Sequence, residues 1–174
     1  IPIIACDCLL VTKQAILRKE ELSEGSHEIL MNVLVVKDAM SKFSGAHVVP
    51  VKGLGEDRYA AEKVRRDVAW LGHSRVILKS DNEPAIVAVT KEVLKSLKVE
   101  VIDQAASAAP PAYDSKANGS VENAVRLVQG LLRTLKVCLE RRIHQRIPAE
   151  HAIMPWLVHH TAWLLTVRSR SHDG

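Results

Sequence analysis

Asp7 interrupts an apolar run, IPIIACDCLLV, in which Ile3, Ala5 and Leu9 share its strand parity and Ile4, Cys6, Cys8 and Leu10 take the other. A strand that is apolar on both faces is a buried central strand. An ionised carboxylate there costs several kcal/mol unless a cation or strong donors compensate it. No basic residue lies within the run, so a metal ion or a cross-strand partner is required. Asp81 stands in VILKSDNEPAIVAV, where one apolar element stops and the next begins. In open α/β sheets that position, the carboxyl end of a strand, is where ligands bind. It is equally the place of a helix N-cap or first-turn acid. Glu122 opens the long helical pattern that follows the segment 103–120, and taken alone it is a favourable first-turn acid.

The elements that must position these acids are legible in outline. Residues 1–11, 30–38 and 45–51 are short runs rich in β-branched residues and read as strands. A long polar connection joins the first two. KFSG joins the second and third and is short enough for a hairpin, so an antiparallel meander is expected. Ala61, Val64, Val68 and Leu71 recur at helical spacing, with Gly72 where a C-cap belongs, giving a helix over 57–71. RVILKS is a fourth strand. Pro84 is tolerated in the first turn of a helix whose core face is Ile86, Val89, Val93 and Leu97. VEVI (99–102) is expected as a fifth strand, and 103–120, rich in Ala, Pro, Ser and Gly, as a loop. Val121, Val125, Val128, Leu132, Leu135 and Leu139 then form a core stripe on a long helix. One residue along runs a polar ridge of Glu122, Arg126, Gln129, Arg133, Lys136 and Glu140. Strand–helix–strand–helix–strand after a meander makes the later strands parallel. The fold class is therefore α/β: a five-stranded mixed sheet, strands 1–3 antiparallel and 4–5 parallel, flanked by helices. A flavodoxin-like sheet is the alternative, disfavoured by the opening meander.

With 174 residues, 47% hydrophobic and 25% charged, the chain suits one globular domain with a sizeable core. Its longest apolar run is too short to span a membrane, and no secretory leader pattern is present, so a soluble, intracellular protein is expected. Cys6, Cys8 and Cys138 form no CxxC pair and are read as core packing. From Arg126 to Arg146 six basic side chains face one acid, Glu140, a local balance of +5 in a chain of net charge +4. The positive field is thus concentrated on one helix region, which fits an anionic partner or a solvated helical face.

Asp7 in the first strand, SDNEPAI around Asp81 and YDSKANGSVE ending in Glu122 resemble, in order and setting, the catalytic core of retroviral and retrotransposon integrases, which has a ribonuclease H-like fold. The resemblance runs over nearly the whole of 1–174, including FSG before the third strand, and implies a catalytic core cut from a longer polyprotein. The segment between Asp81 and Glu122 is somewhat longer than is usual in retroviruses. The resemblance implies that Asp7, Asp81 and Glu122 are catalytic and hold two Mg²⁺ or Mn²⁺ ions. It implies a polynucleotidyl transferase that trims element DNA ends and joins them to target DNA. Arg126, Gln129, Arg133 and Lys136 would then contact phosphates, while Tyr113 and Asn118 would position the DNA end. A homodimer or higher oligomer is expected, through a helix over 152–167 with Ile153, Trp156, Leu157, His160, Leu164 and Val167 on one face and Trp163 beside it. A eukaryotic retroelement would place the protein in the nucleus. The rival readings are a hydrolytic nuclease of the ribonuclease H type and a decayed, non-catalytic module that binds nucleic acid or dimerises.

Overall fold

A computed structural model of the chain describes residues 1–12, 16–18, 28–80, 83–99, 104–108 and 119–168. Among the described residues six strands and four helices follow one another as β1 (Ile3–Thr12), β2 (Ile16–Arg18), β3 (Ile29–Asp38), β4 (Ser44–Val49), α1 (Tyr59–Leu71), β5 (Arg75–Ser80), α2 (Pro84–Val99), β6 (Gln104–Ala108), α3 (Gly119–Ile143) and α4 (Ile153–Arg168). They make one mixed sheet in the order β4-β3-β1-β5-β6, with β2 paired to β1 off that path. β1, β3 and β4 form the expected antiparallel meander, while β5 and β6 run parallel to β1 and to each other in turn.

Strand parity sorts the core into two layers. On one face Ile4, Cys6, Cys8, Leu34, Val36, Val76 and Leu78 pack against α1 and α2. On the other, Leu9, Val11, Val33 and Val35 pack against α3 and α4. A sheet covered on both faces explains why β1 is apolar at both parities.

Turn chemistry fixes the meander. Asp38, fully buried at the end of β3, accepts hydrogen bonds from the Met40 N–H at 3.1 Å, the Ser41 N–H at 3.0 Å and the Ser41 hydroxyl at 2.6 Å. His73 Nε2 lies 2.9 Å from the same carboxylate. Burial pushes the Asp38 carboxyl up, but the bonds from Ser41, His73 and the turn amides outweigh it and hold the group below its usual range. Gly72 ends α1 as expected, at φ 67° with its N–H bonded to the Ala69 carbonyl.

Several expectations are corrected. The strand expected over 99–102 meets a helix at its start, since α2 runs on to Val99; residues 100–102 lie outside the described residues, and a strand is found at Gln104–Ala108, inside the segment read as loop. Its sequence, QAASA, carries no β-propensity signal, and pairing with β5 makes it a strand. β2 lies within the long polar connection between the first two expected strands, where no strand was expected. Cys6 and Cys8 are buried, but Cys138 is exposed on α3. The core face of α4 is Met154, Leu157, Val158, Thr161 and Ala162, whereas Trp156, Trp163 and Val167 are exposed. Apolar residues surround that helix, so hydropathy alone cannot choose which side is buried.

Candidate active site

Asp7 lies in the middle of β1, paired with Val35 of β3 on one side. On the other side the partner strand changes: β5 ends with Ser80 opposite Cys6, and the antiparallel β2 ends with Arg18 opposite Leu9. Asp7 thus stands between two partner strands, at the carboxyl end of the parallel pair, the place where open α/β sheets bind ligands. It is half-buried rather than sealed. Its Oδ1 accepts the Cys8 N–H at 2.7 Å.

Parity places Asp7 on the face covered by α3 and α4, since Leu9 and Val35 belong to that layer. Glu122 is half-buried in the first turn of α3, where the helix N-terminus favours a carboxylate. Its neighbours Ala124 and Val125 pack into the same layer as Leu9. The two acids therefore sit on elements that pack against each other on one face of the sheet. Asp81, Tyr113 and Asn118 lie outside the described residues. Among the described residues no group of three His, Cys, Asp or Glu is placed to hold a metal. Asp7 and Glu122 do supply the oxygen donors that hard divalent cations prefer.

The basic ridge divides along α3. Arg126 is exposed. Gln129 is only 3% exposed and donates to the Ile16 carbonyl at 2.8 Å, so it secures β2 against α3 and is withdrawn from the expected phosphate-contacting set. Arg133 donates to the same carbonyl. Lys136 Nζ lies 2.5 Å from Glu140, which also accepts the Ile147 N–H. Arg133, Lys136 and Arg146 line a cleft of about 620 Å³ floored by Val11, Ile16 and Met154. Arg133 stands 11 residues beyond Glu122, roughly 16 Å along the helix axis. The one-residue offset that marks a ridge in sequence says nothing about β2, whose carbonyl captures two of its members.

A pair not singled out in the sequence lies close to the site in the chain. Lys52, in the turn after β4, holds Glu83 at 2.6 Å, and Glu83 opens α2 by accepting the Ile86 and Val87 N–H groups on its carbonyl. The lysine carries no motif, and only the tertiary fold reveals its partner.

The mixed sheet, its strand order and its helices define a ribonuclease H-like fold, and it is the fold of retroviral integrase catalytic cores. The catalytic core domain of BIV integrase aligns at TM-score 0.50 and 16% identity, over 99% of this chain and 88% of that one. The HTLV-2 integrase catalytic core domain in complex with magnesium aligns in its trimeric form at TM-score 0.58 and 13% identity, over 98% and 88%. Its dimeric form gives 0.57 and 12%, over 99% and 90%. No protein-family model matches the sequence, and no curated protein matches it.

Proposed function

We propose that the chain is a divalent-metal-dependent polynucleotidyl transferase that trims element DNA ends and joins them to target DNA, with Asp7, Asp81 and Glu122 as its catalytic carboxylates. The observation that carries this reading is the β1–β5 register. Cys6 of β1 pairs with Ser80 at the end of β5, so Asp7 and Asp81 each follow directly in the chain on one member of that pair, and α3, whose first turn carries Glu122, covers Asp7's face of the sheet. Three carboxylates so gathered gain nothing from packing and would bind Mg²⁺ or Mn²⁺. Two such ions, when bound, would supply activation of the attacking oxygen and stabilisation of the leaving oxygen.

This chain's own residues would do the rest. The Cys8 N–H, bonded to Asp7 Oδ1, fixes the carboxylate's orientation, and α3 holds Glu122 by burying Val121, Ala124, Val125 and Val128 behind it. Tyr113 and Asn118 would position the DNA end. The deciding assay offers one duplex oligonucleotide with Mg²⁺ or Mn²⁺ and separates joined from cleaved products. Joined products are expected; cleavage alone would assign the protein to the hydrolytic nucleases, and neither product would assign it to the non-catalytic modules.

Nucleic-acid contact falls first to Arg126, exposed on α3 one turn beyond Glu122. Arg126→Ala is expected to weaken binding to unrelated DNA sequences alike and to reduce the slope of log affinity against log salt by roughly 0.9. Lys136→Ala should change it less, because Glu140 already neutralises that charge. Equal slopes in parent and Arg126→Ala would move the DNA path off α3.

We also propose self-association through the outer face of α4. Trp156 and Trp163 are 57% and 55% exposed there, stacked on either side of His160 at ring separations of 4.7 and 5.6 Å. Apolar surface of that kind marks interfaces. A sedimentation mass of twice the 19.2 kDa chain is expected at tens of micromolar, and Trp163→Glu should return the monomer.

A further inference from the structure

We infer that the cleft beside the C-terminal half of α3 is a docking site for an acidic, aliphatic segment of a partner protein. Arg133, on its wall, stands 11 residues past Glu122, roughly 16 Å along the helix axis, so the cleft is separate from the proposed metal centre and does not depend on it.

Both walls of the cleft are tied to α3. On one side Gln129 and Arg133 donate to the Ile16 carbonyl, the first at 2.8 Å, and hold β2 in place. On the other, Glu140 accepts the Ile147 N–H at 2.8 Å and fixes the connection that leads to α4. Between them about 620 Å³ stays open, a size that can seat a ligand. Walls that are already fixed need little further ordering when the cleft is filled.

The lining has two characters. Val11, Ile16, Ile147 and Met154 are buried and make an aliphatic floor, while Val137, 43% exposed, forms the lip. Around that floor stand Arg133, Lys136 and Arg146 against Glu140 alone, a balance of +2. Lys136 is neutralised by Glu140 at 2.5 Å. Arg133 donates to a neutral carbonyl and keeps its charge. Arg146, on the connection to α4, is exposed and makes no hydrogen bond or ion pair among the described residues.

Rim and floor together select the occupant. The positive rim, and the Arg146 guanidinium within it, favours carboxylates, which arginine can hold through two parallel bonds. The floor favours branched aliphatic side chains. A nucleic acid would satisfy the cations but not the floor, because bases stack on aromatic rings and no aromatic residue is among those lining the cleft. A wholly apolar segment would leave Arg146 unmatched. In an extended segment successive side chains point to opposite sides, so one that alternates Asp or Glu with Leu or Ile can set aliphatic groups into the cleft and keep its acids at the rim.

The experiment titrates the intact chain with a fluorescent peptide that alternates Asp or Glu with Leu, with the same peptide carrying Ser for each Leu, with one carrying Asn or Gln for each acid, and with a single-stranded oligonucleotide of equal charge. Amide resonances of Val137, Ile147 and Ala149 locate the site. The expected result is that the first peptide binds and shifts those three resonances, more tightly than the other three probes, and that Arg146→Glu weakens it roughly tenfold. Val137→Gln should weaken it by a smaller factor, since it alters only the lip. A first peptide that leaves the resonances unmoved, or that binds parent and Arg146→Glu alike, would overturn the inference. Equal binding of the serine peptide would reduce the cleft to a charged surface, and tighter binding of the oligonucleotide at the same amides would make it a nucleic-acid site; either result overturns the assignment to a protein segment. Should Arg146→Glu fail to fold in a thermal melt, Arg146→Gln decides in its place: an affinity equal to the parent's overturns the inference.

Discussion

Asp7→Asn and Asp81→Asn are each expected to abolish DNA strand transfer while leaving the metal-free protein as stable as the parent or more so. On the proposed mechanism the three carboxylates gather and, without a cation, repel one another, so removing one charge should relieve that repulsion. For Asp7 the substitution is conservative in shape, and an amide oxygen can still accept the Cys8 N–H that the carboxylate accepts now. Metal should reverse the ranking. At about 10 mM Mg²⁺ and an assumed dissociation constant of about 1 mM, the parent gains roughly 1.4 kcal/mol by mass action and the variants gain much less. For a chain of this size that is roughly 3–6 °C in melting temperature. Thermal melts of the three proteins with and without Mg²⁺ check it. Equal Mg²⁺ shifts in all three would show that Asp7 and Asp81 share no metal, and the proposed mechanism would lose its physical support.

Leu132→Ala should be the most destabilising of the single truncations on α3. Leu132 is fully buried, in the layer that also holds Leu9, Val11, Val33 and Val35 of the sheet. Truncation there removes apolar contacts and leaves a cavity in surroundings that relax only in part, at a cost of roughly 2–5 kcal/mol. The melting temperature should fall by on the order of 10 °C. Leu127→Ala is the control, because that side chain is 49% exposed on the same helix and should change stability by no more than about 0.5 kcal/mol. Denaturant titration of both variants separates them. A loss at Leu132 no larger than at Leu127 would mean that α3 does not dock on β1 and β3 as described, and Glu122 would lose its place beside Asp7's face of the sheet.

The sequence by itself determined the elements whose signal is periodic and local. β1 is apolar at both parities and is the central strand; Val121, Val125, Val128 and Leu132 form a stripe and are the buried face of α3. Gly72 stands where only a left-handed C-cap fits, and α1 ends there. Asp7 was conspicuous because its neighbours on both faces are apolar, and Glu122 because a helix begins beside it. Burial patterns of this kind are written residue by residue, so they can be read without knowing what lies opposite.

Tertiary structure alone decided everything that depends on a partner distant in the chain. QAASA is a strand because β5 offers it hydrogen bonds, while Val99, the first residue of the expected strand, belongs to α2. Gln129 left the polar ridge for the interior because the Ile16 carbonyl of β2 needed a donor. Trp156 and Trp163 face outward on α4 because Met154, Leu157 and Val158 reach the sheet first, a choice that an all-round apolar helix leaves open. Lys52 gained Glu83 across 31 residues of chain because Gly53 lets one turn lie against the first turn of α2. A side chain's own chemistry limits what it can do, but which backbone group or charge it meets is set by how the layers close, and no local pattern carries that information.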